Sequence, residues 1–371
     1  MDTLSLCLIV RNEAEVLARC LESAAGLYDE LVVVDTGSED ETRAIARRFT
    51  GQVYDFPWRD DFSAARNFSF DQAHMSYCMW LDADDVLLPA DRAAFLELKR
   101  DRLPGPDVVM APYHAGVDEA GRPVLTYYRE RILRRVPELR WEGAVHEAVT
   151  PRGAIVYTQA AVTHRKERPS DPERNLRILE HAAASGRNLT PREQFYYGRE
   201  LSAHGRYAEA VRVLEDFLTV GWGWKENNIE ACRTLGACYE ALGKPRHALR
   251  ALLESLAFDP PRAEVCCDLG RLWMERSDYA QAARWYEQAL DCPWDLRSGA
   301  FCIPDCHGFL PCIQLCVCAW NLGERERAVY WNERAAAFRP DHPACRQNRA
   351  FFAGEMDSSQ ENASKREDSG K

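Results

Sequence analysis

The segment WLDADDVL, residues 80–87, places three aspartates directly after an apolar run. Asp82 and Asp84 stand two positions apart, so on an extended strand they point to one face while Ala83 points to the other. Two carboxylates at one place provide the oxygen ligands that hard cations such as Mg²⁺ or Mn²⁺ prefer, and such a cation would bridge to phosphate oxygens. Because Asp-x-Asp strings are common by chance, this interpretation depends on its surroundings.

A second acidic position occurs in LVVVDTGSEDET, residues 31–42, where three valines lead into Asp35 and then a Thr-Gly-Ser turn. At the end of a strand, the Asp35 carboxylate is placed to accept hydrogen bonds from a ring N–H or a sugar hydroxyl of a ligand. The alternative is that Asp35 caps the helix that follows, since aspartate favours such caps. The presence of Asp35 beside the aspartates of residues 80–87 favours the ligand interpretation.

The elements that must position these carboxylates alternate along the first half of the chain. Apolar strand-like runs (LSLCLIV, ELVVVD, GQVYDF and YCMWLDADD) are separated by segments with helical spacing. Strands joined by single helices predict right-handed crossovers and a mostly parallel sheet. Ligands of such sheets bind at the carboxyl ends of the strands, where Asp35 and the 80–87 segment fall. We therefore predict an α/β catalytic domain over residues 1–170.

The second half is helical and repetitive. Four segments align on Ala210, Ala248, Ala282 and Ala328, and small residues stand twelve positions before each of these alanines, at Gly198, Gly236, Gly270 and Cys316. Small residues recur at such positions because two helices must cross closely there. The period of about 34 residues is typical of tetratricopeptide repeats, which stack into a solenoid with a concave binding face. We predict an all-α repeat domain over 171–353 and a disordered tail over 354–371, which lacks an apolar face.

Composition excludes several classes of protein. The net charge is −11, which argues against a general nucleic-acid binder. The amino terminus lacks the basic region of a signal peptide, and no apolar run approaches the length of a membrane span. A cytoplasmic location follows as the expectation, with the fourteen cysteines as reduced thiols. Cysteines within residues 302–318 match no closed zinc pattern well, and packing inside a repeat helix is the favoured interpretation.

Four motifs, CLIVRNEAEVLARCLES, VVVDTGSEDET, FSAARNFS and WLDADD, resemble the inverting family-two glycosyltransferases of the GT-A fold. With the repeats that follow, the chain resembles bacterial glycosyltransferase–tetratricopeptide proteins, including the SunS-like enzymes that glycosylate peptides. The resemblance implies a nucleotide-sugar donor, a UDP-sugar being the expected one, and a divalent metal, Mn²⁺ or Mg²⁺. It also implies a peptide or protein acceptor recruited by the repeats. A homo-oligomer remains possible.

The resemblance also implies roles for individual residues. The nucleotide pocket would be lined by the end of the first strand, and Asp35 would bind uracil or ribose. Arg66 would stand near the diphosphate, for which its planar fork is suited, unless it forms only a salt bridge on a helix surface. Asp82 would hold the ribose or the metal, and Asp84 the metal. The residues expected at the end of the first strand are Val10, Asn12 and Glu13.

The general base is the least determined residue. Family members often use a Glu-Asp pair well after the Asp-x-Asp motif, whereas this chain has RWEGAVHEAV at residues 140–149. Read as a strand, this segment places Glu147 on the more apolar face and His146 on the other, so that only a broken strand would bring both into one site. Glu147 is the preferred base and Glu142 a weaker one. His146 and His164 are alternatives for a metal or phosphate contact, or ordinary hydrogen-bonded residues.

The expected function is therefore inverting transfer of a sugar from a nucleotide donor, with a carboxylate deprotonating the acceptor hydroxyl. The alternative is an inactive GT-A-like protein that serves as a base for the repeat scaffold. The intact Asp82 and Asp84 favour the enzyme.

Overall fold

The computed structural model describes residues 3–103, 105–167 and 171–354, and these residues form two compact units. The first unit spans Met1–Asn227 and Leu296–Cys302, and the second spans Asn228–Asp295 and Ile303–Lys371. The predicted catalytic segment lies within the first unit, and the predicted repeat segment is divided between the two. The predicted disordered tail lies outside the described residues, apart from Gly354.

The strands of the first unit are β1 (Leu4–Val10), β2 (Glu30–Asp35), β3 (Val53–Asp55), β4 (Tyr77–Trp80), β5 (Asp85–Val86), β6 (Val108–Val117), β7 (Pro123–Arg134), β8 (Trp141–Glu142), β9 (Ala148–Val149), β10 (Ile155–Tyr157) and β11 (Val162–His164). They form a mixed sheet with strand order β3-β2-β1-β4-β7-β6-β11-β5, in which β10 pairs with β6. A separate two-stranded ladder is formed by β8 and β9. The helices of this unit are α1 (Leu17–Ser23), α2 (Thr42–Ala46), α3 (Phe62–Asp71), α4 (Pro89–Arg102), α5 (Arg174–Ala184), α6 (Pro191–Ala203) and α7 (Tyr207–Val220).

The parallel half of the sheet, β3-β2-β1-β4, confirms the expected α/β architecture. Alternate residues of β1 enter different cores: Leu6 and Leu8 belong to one buried cluster and Cys7 to another. A strand buried on both faces needs apolar residues at consecutive positions, which is why this segment reads as an uninterrupted apolar run. Both β1 and β2 occupy the expected segments from end to end.

The other half of the sheet was not anticipated. The long strands β6 and β7 form an antiparallel hairpin, and β7 also pairs antiparallel with β4. The buried charges Glu130 and Arg131 interrupt the apolar pattern of β7, so this strand does not stand out in the sequence. The hairpin nevertheless supplies one wall of the site described below.

The helix α8 (Lys225–Ala241) begins in the last residues of the first unit and continues into the second. The second unit also contains α9 (Pro245–Glu254), α10 (Ala263–Glu275), α11 (Tyr279–Asp291), α12 (Phe309–Asn321) and α13 (Arg325–Phe338). Their pairing confirms the repeat pattern: α6 with α7 in the first unit, then α8 with α9, α10 with α11 and α12 with α13. No helix among the described residues is both long and apolar enough to cross a bilayer.

The helix crossings explain the small residues in the repeats. A Cβ added to Gly198 would stand 2.4 Å from the Leu214 side chain, and one added to Gly270 would stand 2.7 Å from the ring of Tyr286. Gly236 is less crowded, with its nearest neighbour, Leu252, at 3.0 Å. Each glycine therefore lets the first helix of a repeat contact the second.

All fourteen cysteines are free and buried, in agreement with the expected reduced thiols. Cys316 and Cys318 lie inside α12 and pack in the core, as the repeat pattern predicted. Among the described residues, none of the cysteines belongs to a group of three or more side chains close enough together to hold a metal ion.

Candidate active site

Parallel pairing brings the carboxyl ends of three strands to one edge of the sheet. Val10 is in register with Asp35, and Cys7 with Trp80, so the loops after β1, β2 and β4 lie side by side. A cavity of about 920 Å³ opens at this edge. Its walls include Val10, Asn12, Glu13, Thr36, Arg66, Trp80, Asp82, Asp84, Tyr113, Tyr127, Arg129, His146, Glu147, His164, Lys166 and Arg174. Of the predicted site residues, only Asp35 and Glu142 do not line it.

Asp35 is buried directly behind the cavity wall, next to the lining residue Thr36. Its Oδ1 accepts hydrogen bonds from the backbone N–H groups of Gly37 and Ser38, at 2.9 and 2.8 Å, and pairs with Arg43 at 2.9 Å. Its Oδ2 is buried and has no hydrogen-bond partner among the described residues. Burial alone would raise the pKa of Asp35, but the hydrogen bonds from Ser38, Arg43 and Gly37 lower it below its usual value.

Asp35 therefore closes a turn and does not cap a helix, since α2 begins at Thr42 with Glu41 as its N-cap residue. The capping alternative for Asp35 is wrong for this reason. The ligand role stays a prediction, for which the unpartnered Oδ2 is the relevant atom.

The loop after β1 is fixed against the loop after β2. Asn12, in a left-handed conformation (φ 56°), accepts a hydrogen bond from Glu39 N–H at 2.8 Å, and its own N–H donates to Ser38 Oγ at 2.9 Å. Glu13 donates its N–H to Thr42 Oγ1 at 2.7 Å. Burial, followed by the charges of Asp84 and Asp82, raises the pKa of Glu13 to about 7. The side-chain amide of Asn12 thus holds the two loops together, whereas the carboxyl group of Glu13 lines the cavity beside Asp82 and Asp84.

The aspartates of residues 82–85 do not continue β4, which ends at Trp80. The chain turns at residues 83–84, where Asp85 N–H donates to the Asp82 carbonyl at 3.0 Å, and β5 begins at Asp85. Asp82 and Asp84 therefore do not share the face of a strand, and the prediction that they do is wrong. The chain must turn here because β5 pairs antiparallel with β11 at the far edge of the sheet. Asp82 and Asp84 both line the cavity, but they have different partners.

Asp84 forms an acidic group with Asp85 and His164, whose ligand atoms all lie within 4.8 Å of one another. His164 Nδ1 is 3.3 Å from Asp84 Oδ1 and 3.4 Å from Asp85 Oδ1. Burial lowers the pKa of His164, but the two carboxylates outweigh it and raise that pKa to about 10. The group thus attracts a cation, which is a proton on the imidazole in the absence of a metal.

Asp85 is the residue in this group that sequence reasoning missed. It is fully buried and accepts hydrogen bonds from Tyr113 Oη at 3.1 Å and Arg131 Nη1 at 3.3 Å. The signal was present as the third acid of the Asp-Ala-Asp-Asp run. Of the four predicted metal ligands, the structure brings Asp84 and His164 together, whereas Asp82 and His146 lie outside the group.

Arg66 joins two of the predicted site carboxylates. It lies on α3, is 6% exposed, and places Nη2 2.7 Å from Asp82 Oδ1 and Nε 2.5 Å from Glu147 Oε1. Its guanidinium also lies over the rings of Trp80 and Trp141, at 4.5 and 4.8 Å. It is therefore a buried bridging residue, and the alternative of a salt bridge on a helix surface is wrong.

The RWEGAVHEAV segment is a broken strand. Trp141 pairs with Val149, but residues 143–147 leave the ladder, and His146 adopts φ 51°. The uninterrupted strand that we expected is therefore wrong here. The break brings His146 and Glu147 to the same cavity, whereas Glu142 is exposed on β8.

Sequence reasoning also missed cations around the cavity. Arg129 on β7 donates from Nη2 to the Glu147 carbonyl at 3.1 Å and lies 4.9 Å from the Trp80 ring centre. Lys166 and Arg174 line the cavity after β11 and at the start of α5. Alternating arginines in YYRERILRR were a usable signal, because every second residue of a strand faces one side. The arrangement combines an acidic group that can hold a cation with basic side chains that can bind phosphate oxygens.

Comparison with known proteins agrees with this geometry. Residues 5–146 match the family model described as Glycosyl transferase family 2. The chain is 32% identical over 302 residues to a TPR repeat-containing protein of Synechococcus elongatus, covering 80% of this chain and 68% of that protein. It is 26% identical over 234 residues to the SPbeta prophage-derived glycosyltransferase SunS of Bacillus subtilis, covering 57% of this chain and 52% of SunS.

A third relative is the lipopolysaccharide core biosynthesis glycosyltransferase LpsC of Rhizobium meliloti, 30% identical over 161 residues, covering 41% of this chain and 58% of LpsC. The chain thus spans little more than half the length of SunS and of LpsC. The fold and the cavity define a GT-A-like domain followed by tetratricopeptide repeats. The chain belongs to the family of proteins in which a family 2 glycosyltransferase domain is fused to such repeats. The named relatives support glycosyl transfer as its general activity.

Proposed function

We propose that this protein transfers a sugar from a UDP-sugar donor to a hydroxyl of a peptide or protein, with inversion at the anomeric carbon and with the help of a divalent metal. The observation that carries the proposal is the group of Asp84, Asp85 and His164 at the carboxyl edge of the sheet. Asp84 and His164 line a cavity that also has basic walls, and Asp85 is buried behind them. An acidic cation site beside basic side chains is the combination that a metal-bound diphosphate requires.

The donor set fits a divalent metal. Two carboxylate oxygens and one imidazole nitrogen lie close together, and the buried His164 Nδ1 is 3.3 Å from Asp84 Oδ1 and 3.4 Å from Asp85 Oδ1 without a well-directed hydrogen bond to either. Carboxylates suit Mg²⁺ and Mn²⁺, and an imidazole ligand favours the transition metal, so Mn²⁺ is the better candidate. When bound, the metal would offset the charge that grows on the leaving diphosphate.

The protein side chains would divide the remaining work. The unpartnered Oδ2 of Asp35 is an acceptor for a base N–H, and Arg174 and Lys166 offer positive charge to the diphosphate. Glu147 is the proposed base that removes the proton of the acceptor as it attacks. The Glu147 carboxylate is held in one direction by its ion pair with Arg66, which also pairs with Asp82.

A peptide or protein acceptor is supported by the repeats, because stacked helix pairs offer an extended surface that suits an extended ligand. The name of SunS states only that it is a glycosyltransferase, whereas LpsC is named for lipopolysaccharide core biosynthesis. The experiment must therefore distinguish a saccharide acceptor from a peptide acceptor.

The test begins with a screen of nucleotide sugars for binding in the presence of Mn²⁺. The donor that binds is then incubated with the protein and a lysate of its source, and intact-mass and glycan analyses locate the transferred sugar. We expect a hexose-sized mass gain on a polypeptide. A mass gain found only on saccharides would show that the acceptor is a saccharide and not a peptide. Donor binding without any transfer or hydrolysis would favour the inactive scaffold.

A further inference from the structure

The loop of residues 143–147 is fixed by side chains from a helix of the repeat region. The carbonyl oxygen of His146 accepts two hydrogen bonds from Arg192, from Nε at 2.9 Å and from Nη2 at 2.7 Å. The imidazole of His146 lies 2.8 Å from Glu200 Oε1 and stacks on the ring of Tyr196, with ring centres 4.0 Å apart and an interplanar angle of 11°. All three partners lie on α6 (Pro191–Ala203), in the same compact unit as the cavity.

These contacts compensate for an unfavourable backbone. His146 has φ 51°, a conformation that residues with a Cβ rarely adopt without support. This conformation takes residues 143–147 out of the β8–β9 ladder and turns Glu147 into the cavity. Without the contacts from α6, the loop would lower its free energy by adopting a more common backbone conformation. The direction of the Glu147 side chain would then change as well.

The two sides of the loop are held by different elements. Arg129 on β7 binds the carbonyl of Glu147, and Arg66 on α3 binds its carboxylate. Arg192 binds the preceding carbonyl, that of His146. The α6 helix is itself well defined at its start, because Thr190 and Glu193 form a complete capping box.

We propose that Arg192, Tyr196 and Glu200 are positioning residues for glycosyl transfer: the first helix of the repeats sets the direction of His146 and Glu147 in the active site. The repeats would then contribute to the chemical step as well as to acceptor recruitment. This inference rests on the proposed function, since it assigns the consequence of the contacts to the reaction of that same site.

The test compares Arg192→Ala with Gln194→Ala in the full chain. Both side chains are half-buried on α6, but Gln194 contacts the Val213 carbonyl and not the loop. We expect Arg192→Ala to lower kcat about tenfold or more, because small displacements of a catalytic group are costly. The KM for the donor, the Kd for UDP and the melting temperature should match those of Gln194→Ala. Arg192→Lys, which retains one donor, should recover part of the loss.

Hydrogen–deuterium exchange of the peptide that contains residues 143–149 separates the two proposals. Faster exchange there in Arg192→Ala, but not in Gln194→Ala, is expected whether or not a donor is found. If the wild-type protein catalyses neither transfer nor hydrolysis, the proposed function is wrong. If exchange is also unchanged in Arg192→Ala, the anchoring of the loop by Arg192 is wrong too. With an active wild type, equal kcat in both variants would overturn the inference. So would a loss of kcat that accompanies equal losses of UDP affinity and stability.

Discussion

The imidazole of His164 lies 3.3 Å from the carboxylate of Asp84, although the two residues are 80 positions apart in the chain. Because this pair belongs to the proposed metal site, we expect UDP to bind at least about tenfold more tightly with Mn²⁺ than with a chelator, a difference of about 1.4 kcal/mol. Asp84→Ala and His164→Ala should each abolish the difference. Calorimetry checks this, with the exposed Asp101→Asn as control. Equal UDP affinity of the wild type with Mn²⁺ and with chelator would contradict a metal-bridged diphosphate.

The proposed nucleoside contact gives a second prediction. Asp35→Asn retains an oxygen for the N–H groups of Gly37 and Ser38, but it replaces the unpartnered Oδ2 with an NH₂ group. If Oδ2 accepts a base N–H, UDP affinity should fall by about 1–3 kcal/mol, the range for losing a buried hydrogen-bond partner. Titration with UDP and thermal melting of the same variant measure the two effects. Lower stability with unchanged UDP affinity would assign Asp35 to the turn alone.

How much the sequence predicts differs between the two sides of the site. The loops after β1, β2 and β4 could be placed because apolar strands end there on polar residues, and parallel pairing brings such ends together. His164 and Glu147 could be named as candidates, but not their partners. The burial of Asp85 and Arg66 could not be predicted, because it depends on long-range contacts with Arg131 and Trp80 that leave no local pattern. Similarly, the broken strand at residues 143–147 depends on contacts with α3, β7 and α6.

Away from the site, Glu30 gives a prediction for stability against pH. Its buried carboxylate accepts hydrogen bonds from Ser5 Oγ at 2.5 Å, from His74 N–H at 2.8 Å and from Gln52 at 3.1 Å. Burial opposes ionisation, but these hydrogen bonds lower the pKa of Glu30 to about 2. Because the folded-state pKa lies below the unfolded one, the stabilisation is present above about pH 4.5 and is lost as the pH falls toward 2.

Glu30→Gln should therefore reduce the free energy of unfolding at pH 7 by on the order of 2–3 kcal/mol, and by progressively less as the pH is lowered from about 4.5 to 2. Urea denaturation of the wild type and the variant at several pH values measures the difference. A constant difference between pH 7 and pH 2.5 would show that the charge of Glu30 is not the cause.

The repeat crossings predict an order of stability between two equivalent substitutions. Gly270→Ala places a methyl group 2.7 Å from the buried ring of Tyr286, whereas Gly236→Ala meets the Leu252 side chain at 3.0 Å. Overpacking costs about 1–3 kcal/mol, and alanine gains about 1 kcal/mol over glycine in a helix. Gly270→Ala should thus be destabilising, and Gly236→Ala nearly neutral. Chemical denaturation gives both values, and equal stability of the two variants would contradict the close crossing at Gly270.

The last prediction concerns the base. Glu147 lines the cavity and pairs with Arg66, whereas Glu142 is exposed on β8, so the two glutamates form a matched pair for substitution by glutamine. Glutamine keeps the shape of the side chain but cannot take the acceptor proton. Glu147→Gln should lower the transfer rate by about 10²- to 10⁴-fold, the usual contribution of a general base. Donor affinity should stay within a few-fold, because the proposed donor contacts involve other residues. Glu142→Gln should behave as the wild type.

Single-turnover transfer rates, measured with saturating donor, compare Glu147→Gln and Glu142→Gln with the wild type. A drop of less than about tenfold for Glu147→Gln would move the role of base to His146, and a large drop for Glu142→Gln would move it to that residue.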